Sequence, residues 1–332
     1  MYDFANQPFT TIILTFVYST FFTDFIASNP EKGAVLWGRA VTICSIIIAV
    51  LSPLMGAIAD SGGYRKVFLI FWTWVCVFFS FLLYFPLQGQ IFEALLFFCI
   101  ANIGFEMGGI YLNAYLPEIA PKEKIGRISG YGWSLGYIGG LLALGISFII
   151  FIQPENAYIP FSNYLLNKDT GQHIRIINIF IALWFLIFSI PTFLFVKDTN
   201  KYKKINFSLI GNSFKKLIST FNDIKKYKNI VKFLGARLIY NDALITIFAF
   251  GGIYAKRVFD FTFNDIFLFG IVLNITAGIG AFLLGFLDDI LGGKKTIQIS
   301  NLGFVLACLI AAIAPSIDNF IISSESLFWI AG

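Results

Sequence analysis

The sequence predicts an all-α integral membrane protein built as two related helical halves, and three observations carry that prediction. The chain is 58% hydrophobic and only 13% charged, with 40 phenylalanines, against roughly 45–50% and 25% in soluble domains. A soluble fold of this length cannot bury so much apolar surface, so lipid must face most of it. Apolar runs long enough to span a bilayer recur from end to end. Finally, the charged stretch "GAIADSGGYRK" (Gly56–Lys66), set between two apolar runs, returns without a gap as "GFLDDILGGKK" (Gly285–Lys295). The copies pair Gly56 with Gly285, Asp60 with Asp289, Gly63 with Gly292, Arg65 with Lys294 and Lys66 with Lys295.

A spanning helix needs about 20 mostly apolar residues. Runs of that kind cover Pro8–Ala27, Leu36–Ala59, Val67–Leu87, Ile91–Ala114, Gly130–Ile152 and Ile174–Val196, then Val231–Tyr254, Ile266–Leu287 and Thr296–Pro315. Another begins at Ser326 and ends with the chain at Gly332. The runs are continuously apolar rather than alternating, which excludes a β-barrel. The expected organisation is an N-terminal six-helix half (1–196), a basic linker (197–230) and an incomplete second half of about four helices (231–332).

Lysine and arginine placement orients the chain. With the N-terminus in the cytoplasm, the inner connections hold Arg65, Lys66, Lys122, Lys124, Arg127, Lys294, Lys295 and a cluster including Lys203, Lys204, Lys215, Lys216, Lys225 and Lys226. The outer ones hold only Lys32, Lys168, Arg175, Lys256 and Arg257. The linker reads as a solvated connection with an amphipathic stretch near Phe207–Phe221 on the membrane surface, or as an anionic-lipid contact. Because the bases lie between spans, the net charge of +5 does not indicate a nucleic-acid partner. The partners expected are the lipid bilayer and a small-molecule substrate, with the protein acting as a monomer.

Several chemistries drop out. His173 is the single histidine, so histidine metal clusters and Ser-His-Asp triads are excluded. Cys44, Cys76, Cys99 and Cys308 sit inside apolar runs without paired spacing and read as small buried hydrophobes. Asp288 and Asp289 are adjacent and would not face one another as a protease pair. No G-x-x-x-x-G-K-[ST] loop is present. The chain therefore reads as neither an enzyme nor an ATP-driven pump, no cofactor is expected, and an ion gradient is the natural energy source.

The repeated G-x-x-x-D-x-x-G-x-[RK]-[RK] loop resembles the signature loop of the major facilitator superfamily. "YDFANQPF" (Tyr2–Phe9), "LPEIAPKEKIGRISGYGWSLGYIGG" (Leu116–Gly140) and "ARLIYNDAL" (Ala236–Leu244) resemble, more narrowly, the branch of the autophagy-related vacuolar effluxer. The resemblance implies a two-half, twelve-helix bundle, of which about ten helices are present here, so the chain is expected to be clipped at both ends. It also implies a secondary transporter working by alternating access, with the first, fourth and seventh helices lining a cavity between the halves. Eukaryotic relatives are associated with amino-acid efflux from vacuoles. Amino acids are accordingly the leading substrate class, and a bacterial plasma membrane the expected location. A non-transporting receptor on the same fold is the alternative.

Ionisable groups inside a membrane are costly and so are functional candidates. In the fourth helix Asn102, Glu106, Gly109 and Asn113 fall within about 60° at roughly 100° per residue. Glu106 would bind a substrate amine or carry a coupling proton, or else make a structural contact, for example to Arg237. Arg237, Tyr240, Asn241 and Asp242 form the matching cluster in the seventh helix, with a guanidinium suited to a carboxylate. Asp3 and Asn6 are their counterparts in the first helix. Asp24 reads as a solvated terminus or a site, and Arg39 as a snorkelling base. Gly132, Gly136 and Gly140 have the small-xxx-small spacing of close helix contact. In the repeated loops Gly56 and Gly63 would allow close approach and a tight turn. Asp60 would pair across a neighbouring helix end as a gating latch, with Arg127 one candidate partner.

Overall fold

Charged and turn residues, rather than the apolar runs alone, set where the helices begin and end. The computed structural model describes residues 1–152, 169–197, 226–261, 263–316 and 324–331, with a few isolated positions between 211 and 223. Helix α2, Pro30–Gly62, shows the rule. The Asn29 side chain accepts a hydrogen bond from the Lys32 amide at 2.9 Å, and Pro30 occupies the first turn, where its missing N–H is not needed. Gly63 stops the helix in the left-handed region at φ 76°. The apolar run Leu36–Ala59 thus gains a polar extension at each end.

The other helices are α1 Tyr2–Ile26, α3 Arg65–Leu82, α4 Ile91–Ile119, α5 Ile125–Ser147, α6 Gln172–Phe195, α7 Lys228–Phe259, α8 Phe263–Leu291, α9 Gly293–Ile313 and α10 Ser324–Ala331. Among the described residues there is no strand. Eight of the helices, α1–α6, α8 and α9, are long and apolar enough to cross a membrane. Helix α1 begins at Tyr2, well before the apolar run that announces it. After Pro8 it widens into π-helical turns over Phe9–Phe16 and again over Phe22–Ile26. Proline removes an N–H donor from the helical ladder, and such turns commonly mark functional segments. The Phe207–Phe221 stretch falls almost wholly outside the described residues.

The chain divides into two compact units, Met1–Lys122 with Gly132–Ile218, and Glu123–Tyr131 with Ser219–Gly332. In the first, α4 packs on α3 and α2, and α6 on α3 and α1. Gly104 makes the α3–α4 crossing close: a Cβ there would sit 2.7 Å from the Cys76 backbone nitrogen and 2.9 Å from the Trp72 carbonyl. The glycine row of α5 receives α1. Gly136 lies against the Asp3 carbonyl, Gly139 against the Phe4 carbonyl, and Gly140 against the Thr11 hydroxyl, the contact that the small-residue spacing predicts. Tyr2 Oη and Thr73 Oγ1, 2.6 Å apart, tie α1 to α3. The Trp184 indole donates to the Phe4 carbonyl at 3.1 Å, tying α1 to α6.

In the second unit an aromatic cluster of Phe259, Phe261, Phe269 and Phe328 surrounds Ala255 and Ala314. Phe328 of the short α10 stacks on Phe259 at 4.6 Å and on Phe269 at 5.2 Å between centroids. Eight residues are too few to be stable as an isolated helix; α10 is held by this aromatic docking.

Candidate functional site

Helix α4 carries a polar row on an otherwise apolar surface. Glu106 and Asn113 are exposed, and a Cβ built on Gly109 would meet nothing within 4 Å. The opposite side is filled: Phe98, Met107, Tyr111 and Tyr115 are buried, and Gly108 lies under the Tyr2 hydroxyl. Within its unit Glu106 makes no ion pair among the described residues. The row is shorter than the sequence implies, because Asn102 is buried at 5% exposure. One turn nearer the start of α4, α2 closes over that face: Trp37 stacks on Phe98 at 3.9 Å. The Cys44 thiol reaches the Cys99 carbonyl, and the Cys99 thiol the Ala40 carbonyl, each at 3.7 Å. Asn102 thus belongs to the α2–α4 seam, and Glu106, Gly109 and Asn113 remain as the open row.

The structure places Asp3 against α5 rather than in the open row. Its carboxylate oxygen would lie 2.5 Å from a Cβ on Gly132, and the residue is half-buried, while Asn6 is buried at 8% exposure. Nearby, Phe9 stacks on Phe105 at 5.0 Å, so α1 lies beside the helix that carries Glu106. In the second unit Arg237, Asn241 and Asp242 are exposed on α7 and Tyr240 is half-buried. Asp24 and Arg39 are exposed.

The two copies of the repeated loop share their turn but not their neighbours. Gly63 and Gly292 both have positive φ, 76° and 80°, so both turns need glycine. In the first copy Asp60 pairs with Arg65 at 2.6 Å, and Arg65 also pairs with Glu118 at the end of α4. Within its unit, Asp60 is thus met by a base from its own loop. The Gly63 turn folds the start of α3 back so that Arg65, in the same loop, reaches Asp60 first.

Arg127 belongs to the second copy. Asp289 accepts from Arg127 Nε at 2.8 Å, from the Gly126 amide at 2.9 Å and from the Arg127 amide at 3.3 Å. Its side chain is 5% exposed. A carboxylate thus caps the N-terminal turn of α5, where unpaired amides and the helix dipole favour an anion. The guanidinium also lies over the Phe286 ring at 4.8 Å. Lys294 and Lys295, matching Arg65 and Lys66, are exposed, whereas Arg65 and Lys66 are half-buried.

The glycines diverge as well. A Cβ on Gly285 would meet the Gly126 carbonyl at 2.9 Å and the Arg127 and Gly130 Cα atoms at 3.1 Å, whereas one on Gly56 meets nothing within 4 Å. Close approach, expected for Gly56, is realised by Gly285. Gly285→Ala is expected to cost about 1–3 kcal/mol through overpacking, and Gly56→Ala to be neutral or slightly stabilising through helix propensity. Unfolding midpoints in detergent check this, and equal effects from the two would contradict it.

Sequence reasoning missed two participants. Glu118, the second partner of Arg65, is far from it in sequence, and no spacing rule joins them. Arg175 counts in the sequence as an outer-loop base, yet it lies in the first turn of α6 and is buried at 8% exposure. The signal available was an arginine inside the apolar run Ile174–Val196.

These features match known proteins. The family model described as "Vacuole effluxer Atg22 like" matches residues 33–332. The chain is 26% identical over 315 residues to the uncharacterized MFS-type transporter YxiO of Bacillus subtilis, covering 94% of this chain and 71% of that protein. It is 24% identical over 194 residues to Autophagy-related protein 22-1 of Aspergillus fumigatus, covering 55% of this chain and 29% of that protein. The solved structure of the major facilitator superfamily proton:xylose symporter XylE, bound to 6-bromo-6-deoxy-D-glucose, superposes with a TM-score of 0.63 at 16% identity, over 99% of this chain and 77% of that one. That likeness bears on fold alone. Family and structural neighbour are transporters, not enzymes. With its model matched over nine-tenths of the sequence, the chain belongs to the Atg22-like effluxer family of major facilitator transporters.

Proposed function

We propose that this chain moves a small polar metabolite, with amino acids the leading class, across the membrane by alternating access coupled to protons or another ion. The observation that carries this reading is the open row on α4: Glu106 and Asn113 exposed, Gly109 leaving space between them, on a helix otherwise packed with apolar side chains. A carboxylate kept in a spanning helix without an ion-pair partner in its unit is costly unless it serves transport. Glu106 suits an ammonium group or a coupling proton, and Arg237 on α7, with Tyr240, Asn241 and Asp242, suits a carboxylate. Asp3 and Asn6 support the row from α1. The repeated loops act as cytoplasmic gates: Asp60, Arg65 and Lys66 in one, Asp289, Arg127, Lys294 and Lys295 in the other, turned at Gly63 and Gly292. The lysine and arginine distribution supports a cytoplasmic N-terminus in a bacterial plasma membrane, with the protein acting as a monomer.

The test is a counterflow screen with the purified chain in vesicles preloaded with mixed amino acids, then with other small polar metabolites. Saturable exchange of at least one amino acid is the expected result. Exchange of no amino acid but of another metabolite would overturn the substrate class, and exchange of nothing would overturn the transport reading.

A further inference from the structure

We propose that Arg175 and Tyr18 form a carboxylate-binding site in the first unit, at the end of α3 away from the Gly56–Lys66 loop. Three helices build it. Arg175 comes from the first turn of α6, Tyr18 from the latter part of α1, and Tyr84 lies just past the end of α3. Arg175 is 8% exposed and Tyr18 is 1% exposed. Among the described residues, Nε and Nη1 of Arg175 and the Tyr18 hydroxyl have no hydrogen-bond partner. The Tyr18–Phe21 turn of α1 packs against α6, the helix that carries Arg175.

The corner is assembled rather than accidental. The Arg175 guanidinium sits over the Tyr84 ring, 4.9 Å from its centroid. The Tyr84 hydroxyl is in turn held by the Gln172 amide at 3.1 Å, and one turn on Asn178 donates to the Leu83 carbonyl at 3.4 Å. Gly171, at φ 65°, packs its backbone against Phe21. The base is thus fixed from below and from its own helix, while two of its nitrogens stay unpaired. A guanidinium has donors only, and burial makes each unmatched donor costly. It therefore calls for an acceptor that carries negative charge.

The chemistry of the corner narrows the ligand. Among the described residues that build the corner, Arg175 is the one cation, so a single negative charge matches it. The planar donors of a guanidinium match a planar carboxylate better than a spherical or doubly charged anion, and the phenol adds a further donor. That carboxylate is carried by a free small molecule. The site does not depend on Glu106 or on the transport reading, and its test is a binding measurement.

The experiment is thermal unfolding of the purified full chain in detergent, titrated with acetate against chloride at constant ionic strength. A ligand that binds only the folded state raises the midpoint with its concentration. The expected result is a saturable rise for the wild type. Half-saturation should move up about tenfold in Arg175→Lys, which keeps the charge but loses the planar fork, and several-fold in Tyr18→Phe, which loses only the hydroxyl. Tyr18→Phe keeps the ring, so it decides the matter even should the arginine variant fail to fold. Identical titrations in wild type and both site variants would overturn the proposal. So would a stronger effect of inorganic phosphate than of acetate, or no saturable rise in the wild type.

Discussion

Glu106→Gln is expected to lower gradient-driven transport at least about tenfold while shifting the unfolding midpoint by less than about 0.5 kcal/mol equivalent. The reasoning separates charge from packing. Glutamine keeps the length and hydrogen-bonding oxygen of glutamate but can neither carry a proton nor pair with an ammonium. Glu106 is exposed beside the open space over Gly109, so nothing in its unit depends on its volume. Assays in vesicles with and without an imposed proton gradient split the two roles. A coupling role leaves exchange intact and removes accumulation, whereas an amine-binding role weakens both. Asn102→Ala is the contrast: that side chain is buried under α2, so stability rather than transport should change. Unaltered accumulation and exchange in Glu106→Gln would remove Glu106 from the mechanism.

Asp289→Asn is expected to lower the unfolding midpoint clearly, the larger of the two effects predicted for the repeated loops. One carboxylate with a 5% exposed side chain holds a guanidinium and two backbone amides. Neutralising it removes the charge assistance from all three bonds at once. It also strips the start of α5 of its anion. Asp60→Asn removes only a pair whose acid side chain is 51% exposed, so the expected cost is below about 1 kcal/mol. A double-mutant cycle with Arg127→Gln measures the coupling directly and should return a clear favourable coupling. Equal losses from the two aspartates would show that the structural asymmetry has no energetic counterpart. Under the gating proposal Asp289→Asn also shifts the balance between inward- and outward-facing accessibility, which cysteine labelling from either side reads.

The residues differ in how far their roles could be read from the chain alone. Gly63 and Gly292 were legible as turns, since a glycine between an apolar run and a pair of bases has few other uses, and both adopt positive φ. The α5 glycines were legible as a packing seam from spacing alone, though not their partner, the polar start of α1. Asn102 was not legible: it shares the helical face of Glu106, and only the path of α2 removes it from the open row. Nor was the exchange of partners between Asp60 and Asp289, because the loops align residue for residue and differ only in what packs against them.

The sequence by itself determined that this is a helical membrane protein of a transporter family. Those properties rest on composition, on the length of apolar runs and on a motif written twice, all of which are local or one-dimensional. Only the tertiary structure decided that Asp289 holds Arg127, that Gly285, not Gly56, lets two backbones meet, and that Arg175 is a buried base rather than a loop charge. Each of those depends on which helix lies alongside, through contacts between residues far apart in the chain. Residue type and spacing limit such contacts, but they do not choose among them.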